Sequence, residues 1–166
     1  MKDRGVHVAE WLRRNQDKQP ANSRLKTYLN NILPYISFVS CNTDPKNPRV
    51  VFRFKVQQEH ANYLGNMHGG CTATLFDFLT SLSLAMICKP GFWSYYGVSR
   101  TLDTMYLRPV PCGETVLVEC DITQAGQNLC ALRGVIRRER DGTVLATCEH
   151  NKVNIDPPEL RKASKL

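Results

Sequence analysis

An α+β layer fold, one long apolar helix laid against an antiparallel sheet, is what this sequence predicts. Three observations carry it. Residues 69–88 are apolar over a helical length. Four segments between Val98 and Asn154 alternate apolar and polar residues and follow one another through short connections. Two further strand-like segments precede the helix. Short connections favour antiparallel neighbours, and one helix over one such sheet is a two-layer α+β design. At 166 residues one domain is expected, and 42% hydrophobic with 22% charged residues describes an ordinary packed chain rather than a disordered one.

The elements follow in order. Residues 1–35 read as an N-terminal helical extension. Val8–Leu12 is a short helical segment, and Leu25, Tyr28, Leu29 and Ile32 keep helical spacing until Pro34 breaks it. Residues 36–156 read as the main domain. Ile36–Cys41 is a strand, Asp44–Pro48 a turn, and Val50, Phe52, Phe54 and Val56 mark a half-buried strand. His68-Gly-Gly70 opens the long helix, which runs to about Cys88 before Lys89-Pro-Gly91 stops it. Asp77 and five Ser/Thr residues interrupt that apolar run, so it reads as a core helix and not a membrane span. The remaining strands are 98–107, 115–123, 129–139 and 144–154, with Asp141-Gly142 as a hairpin signal. One helix covers one face of the sheet, which makes self-association an expectation. Residues 157–166 read as an exposed polar tail. It ends in Ser164-Lys165-Leu166, the tripeptide read by the peroxisomal import receptor.

Charge and cysteine use exclude several classes. The net charge of +7 lies in residues 1–55, which hold 11 basic and 4 acidic side chains with no tract of five. That does not make a nucleic-acid reading surface. The seven cysteines form no C-x-x-C pair and follow no apolar leader, so a reducing compartment is expected. The four histidines show no metal-ligand spacing, and no metal is expected.

The chemistry concentrates in Asn62-Tyr-Leu-Gly-Asn-Met-His-Gly-Gly-Cys-Thr-Ala-Thr-Leu-Phe-Asp77. Gly69 and Gly70 permit close approach to the backbone at a helix start, where N–H groups lack internal partners. A developing oxyanion suits that position. Asp77 is a carboxylate in an apolar helix, costly unless used or paired. Cys71 stands in the first helical turn beside His68, but nothing else supports a thiol nucleophile. Gly69 and Asp77 lie eight residues apart, ~12 Å along the helix and ~80° around it, too far to share one carbonyl carbon. Two antiparallel copies of the helix would set Gly69 of one opposite Asp77 of the other across a two-fold axis.

The pattern H-G-G-x-x-A-T-L-x-D, with Asn62 six residues before His68, resembles the hotdog-fold acyl-CoA thioesterases of the PaaI-like and thioesterase-superfamily-member type. The likeness spans about residues 36–155, including Gly97-Val-Ser99 and Met105–Pro109. It implies that a sheet wraps one central helix and that a thioester is hydrolysed to free acid and coenzyme A without metal or redox cofactor. It implies Asp77 as the base on water, or as nucleophile, and the Gly69 N–H as oxyanion donor. Asn62 would orient water or the carbonyl, Ser99 would hold the water, and His68 would hold the loop or touch the thioester. Coenzyme A is polyanionic, and Arg100, Arg108, Arg137 and Arg138 are candidates for its phosphates. A homodimer, or a tetramer of two dimers, is the implied assembly. A hotdog hydratase or dehydratase, and a non-catalytic acyl-CoA-binding module, are the alternatives.

Overall fold

The computed structural model describes residues 4–17, 27–44 and 46–163. Six strands form one antiparallel sheet: β1 (Ile36–Asn42), β2 (Arg49–Lys55), β3 (Val98–Tyr106), β4 (Thr115–Ala125), β5 (Leu129–Arg138) and β6 (Val144–Val153). Their spatial order is β1-β2-β4-β5-β6-β3. Among the described residues, no helix is long and apolar enough to cross a membrane.

Helix α2 (Gly69–Ser83) lies on one face of the sheet. Leu75, Phe76 and Leu79 are fully buried there against Phe52, Phe54, Val116, Val118, Leu132 and Ile136. Each such side chain removed from water contributes ~1.5–3 kcal/mol before conformational entropy is counted. The helix approaches β5 closely because Gly134 has no side chain. A Cβ there would stand 2.5 Å from the Phe76 ring and 2.7 Å from Cys148 Sγ. The expected helix to Cys88 is shorter as α-helix. It tightens into a 3₁₀ turn at Leu84–Met86 after Ser81 and Ser83 donate to the carbonyls of Asp77 and Thr80. Such back-bonding competes with the helical ladder near its end.

Two expectations need correction. First, β3 does not pair with β4, its neighbour in sequence, but with β6. The connection 107–114, stiffened by Pro109 and Pro111, crosses the ends of the strands instead. Leu107 and Arg108 donate to the Leu145 carbonyl, and Gly113 donates to Val56. Second, the helix expected over 22–33 is absent from its described part. Tyr28–Asn31 and Leu33–Tyr35 are 3₁₀ turns, with Asn30 and Asn31 poor helix formers and Pro34 in the second turn. Residues 22–26 lie outside the described residues. The exposed tail carries one further element. Pro158–Ala163 forms a short helix, α3. Arg161 ties it to the carbonyls of Asp156 and Asn154, 2.6 Å each. Ser164, Lys165 and Leu166 lie outside the described residues.

The N-terminal helix α1 (Arg4–Asp17) is longer than Val8–Leu12 suggested. It buries Val8 and Leu12, stacks Trp11 on Phe78 with centroids 5.6 Å apart, and anchors through Gln16 Nε2 to the carbonyls of Leu33 and Ile36.

The outer face of the sheet is clothed in cross-strand ion pairs: Arg49–Asp121 and Arg53–Glu139 at 2.6 Å, Arg137–Glu119 at 3.1 Å. Exposed pairs stabilise little, but they make this face compatible with water. An uncovered apolar face therefore does not motivate self-association here. Exposed apolar side chains include Val98, Met105 and Tyr106 on edge strand β3, Leu107 just after it, and Tyr63 and Leu64 in the loop before α2, while others such as Tyr28, Tyr95, Leu129 and Ile155 lie elsewhere.

Candidate active site

The loop 61–68 and the 107–114 connection hold each other. Met67 donates to Val110, Cys112 to Gly65, and Asn66 bridges Pro111. Within this loop the Asn62 carbonyl Oδ1 accepts from the N–H groups of Leu64 and Asn66 at 2.9 and 3.2 Å. Asn62 is thus a turn builder, as loop asparagines commonly are. Its side-chain amide Nδ2 donates to no described acceptor and faces the cleft that Gly69, Thr72, Tyr106 and Arg108 also line.

His68 is the N-cap of α2. Its Nδ1 accepts from the Gly70 N–H at 2.9 Å, and its carbonyl accepts from Thr72 at 3.1 Å. His68 therefore holds the loop, one of the two roles considered for it. The Gly69 N–H, at the helix start, donates to no described acceptor. Tyr106 Oη donates to the Gly69 carbonyl at 3.0 Å. Cys71 behind this turn is buried, which pushes its thiol up to about 11, away from nucleophile chemistry at neutral pH.

Asp77 lies two turns further along α2, at a second cleft shared with Tyr28, Leu29, Thr74, Phe78, Ser81, Leu102 and Lys152. Its side chain is 51% exposed, so the cost of a buried carboxylate is avoided in this chain. Ser99 Oγ donates to Asp77 Oδ1 at 2.5 Å. Behind Ser99 stands His150, whose Nε2 is 2.9 Å from Ser99 Oγ and whose Nδ1 is 2.6 Å from Thr80 Oγ1. Thr80 in turn donates to the Phe76 carbonyl at 2.7 Å.

The proton inventory of this row is informative. Thr80 spends its one proton on Phe76, so the imidazole must donate from Nδ1 to Thr80. Nε2 is then bare, and Ser99 has one proton for two acceptors. Burial first, and Lys152 second, push His150 down to about 4 against the pull of Asp77, so the ring is neutral. Four contacts between a carbonyl and a carboxylate thus share three protons. A fourth proton placed on Asp77 completes the row, with Asp77 donating to Ser99 and Ser99 to Nε2.

Sequence reasoning did not single out His150. The strand period alone could have found it, since it puts His150 on the same inward face as Cys148 and Lys152. Lys152 is also buried, donating to Ser81 Oγ at 2.7 Å, with Ser81 on the Asp77 carbonyl.

The structure bonds Ser99 to Asp77, which lines one cleft, and brings Asn62 and Gly69 together in a separate cleft of the same chain. The arginines divide similarly. Arg137 pairs with Glu119 and Arg138 with Glu114 and Asp141, and neither lines either cleft. Arg108 lines the Gly69 cleft. Arg100 is exposed in a groove with Gln124 and Asn151. Among the described residues no three His, Cys, Asp or Glu side chains converge as metal ligands.

Comparison with known proteins bears on the family and the fold. The family model described as thioesterase superfamily matches residues 64–145. Acyl-coenzyme A thioesterase 13 of Mus musculus is 30% identical over 104 residues, covering 63% of this chain and 71% of that protein. The Homo sapiens protein of the same name is 29% identical over the same length, with the same coverage. Among solved structures, zebrafish thioesterase superfamily member 2 superposes with TM-score 0.73 at 24% identity, covering 90% of this chain and 96% of that one. A hypothetical thioesterase from Streptococcus pneumoniae, solved with coenzyme A, gives 0.61 at 20% identity, over 71% and 84% of the two chains. The expected hotdog layering is thereby borne out, and the chain belongs to the thioesterase superfamily.

Proposed function

We propose that this protein hydrolyses acyl-CoA thioesters at a site shared by two copies of the chain. The observation that carries the reading is the division of the site. Asp77, bonded by Ser99, lines one cleft, while Gly69 and Asn62, whose N–H donors have no partner among the described residues, line another. Antiparallel pairing of two α2 helices, with the β3 edges adjoining, brings one cleft of each copy together. The names of the relatives, and the coenzyme A and acetyl-CoA in the titles of two structural neighbours, support the substrate class.

In the proposed reaction Asp77 takes a proton from water as the water oxygen attacks the thioester carbon. The carbonyl π electrons move to oxygen, where the Gly69 N–H and Asn62 Nδ2 of the other copy receive them. One such donor is worth ~3 kcal/mol. Collapse breaks the C–S bond, and the thiolate takes up the proton held by Asp77. That held proton is the one the Ser99–His150–Thr80 row lacks, so the row stabilises Asp77 during the step that loads it. Arg108 and Arg100 are the arginines available for coenzyme A phosphates. For a chain ending at Leu166, Ser164-Lys165-Leu166 supports import into peroxisomes.

The test is thiol release from acyl-CoAs of graded length by wild type and Asp77→Ala. The variant should lose ~10²–10⁴-fold in kcat. Equal turnover by both would remove Asp77 from the chemistry. Mixing Asp77→Ala with Asn62→Asp, each impaired alone, should restore about a quarter of wild-type activity through hybrid dimers with one intact site. No recovery on mixing would place the whole site in one chain.

A further inference from the structure

Tyr106 stands at the end of β3, where it is register-paired with Ala146 of β6, and more than half of its surface is exposed. Its hydroxyl crosses to the start of α2 and donates to the Gly69 carbonyl at 3.0 Å. Its ring lies over the same residue, 3.5 Å from where a Gly69 Cβ would stand. At that distance a Gly69 Cβ would be in ordinary van der Waals contact with the ring.

The polar groups of that turn can be accounted for one by one. In the peptide joining His68 to Gly69, the carbonyl accepts from Thr72. In the peptide joining Gly69 to Gly70, the N–H donates to His68 Nδ1, and the carbonyl, which begins the hydrogen-bond ladder of α2, also accepts from Tyr106. The Gly69 N–H alone remains without a described partner. Two adjacent glycines carry wide backbone freedom. A donor aimed at a developing charge is useful only if it is held in place before the charge forms. His68 grips one end of the second peptide plane, and Tyr106 grips the other.

We propose that Tyr106 is a positioning residue that fixes the Gly69–Gly70 peptide, so that the Gly69 N–H stays aimed at the thioester oxygen. The inference rests on the thioesterase reading of the site. Tyr106 forms no bond to the reacting atoms in this role. It acts through Gly69, from an edge strand that also carries the exposed apolar residues of the proposed subunit contact.

The test variant is Tyr106→Phe, which keeps the ring and removes the hydroxyl. For wild type and variant, kcat and KM are measured on one acyl-CoA, together with the melting temperature and the amide exchange rate of Gly69 and Gly70 by NMR. The expected result is a kcat about tenfold lower, the size of one hydrogen bond, with KM within about twofold. The melting temperature should be unchanged, and the Gly70 amide, which His68 Nδ1 holds, should exchange faster. Unchanged kcat would overturn the inference. So would a fall in kcat with unchanged amide exchange, which would give the hydroxyl a role other than holding the turn. If wild type releases no thiol from any acyl-CoA, the thioesterase reading fails, and the amide exchange of the two proteins still decides whether Tyr106 holds the turn.

Discussion

Asn62 has two jobs on one side chain, and a single substitution separates them. Its Oδ1 builds the loop by accepting from Leu64 and Asn66, while its Nδ2 faces the Gly69 cleft. Asn62→Asp keeps the acceptor and removes the donor. Stability should change by less than ~1 kcal/mol, whereas kcat should fall ~10²–10³-fold, the usual cost of one oxyanion donor. Retained activity with a retained fold would leave Asn62 as a turn builder alone. The sequence made Gly69 and Asp77 legible because glycines and a lone carboxylate are anomalies in an apolar helix and its approach, whereas Asn62 was legible only through the family resemblance. It concealed His150 because a histidine on a strand among cysteines looks like packing. Only the sheet order, which sets β3 beside β6, puts Ser99 between that ring and Asp77.

At the scale of elements, the strands were readable to within two residues at their ends, since alternation is imposed wherever one face meets a core. The order of the strands was not readable. It depends on the 107–114 connection choosing to cross the sheet, and tertiary pairing with Met67 and Val56 decides that. The close seat of α2 on β5 was equally hidden, because a glycine inside a strand pattern usually suggests only a bulge or weakness. Its consequence can be measured. Gly134→Ala sets a methyl group against the Phe76 ring and Cys148 Sγ, both ordered parts of the core. It should cost ~1–3 kcal/mol by overpacking, read as a lower urea midpoint at unchanged m. A neutral result would mean that α2 can lift from β5 without loss. The site would then tolerate more movement than the Thr80–His150 contact allows.

For the whole molecule, the buried imidazole makes stability depend on acidity. His150 is neutral in the folded chain, held down to about 4 mainly by burial. In the unfolded chain it titrates near 6.5. Above that value neither state binds the proton, and the folded state pays nothing. As pH falls below 6.5 the unfolded state gains a proton that the folded state refuses, so stability declines until the folded ring protonates near 4. Between pH 7 and pH 5 the loss from this one group is about 2 kcal/mol. The window excludes Asp141, held at about 2 mainly by hydrogen bonds from Thr143. Its stabilising effect is lost only at lower pH. Urea unfolding of wild type and His150→Gln at pH 7, 6 and 5 isolates the term. Wild type should lose stability steadily across the window, and the variant should start lower and lose ~2 kcal/mol less over it. Equal slopes would mean that the ring takes up its proton in the folded state as readily as in the unfolded one. The row of four contacts would then hold its fourth proton on the ring below about pH 6.5, and there Asp77 would have no vacancy to fill when it takes a proton from water.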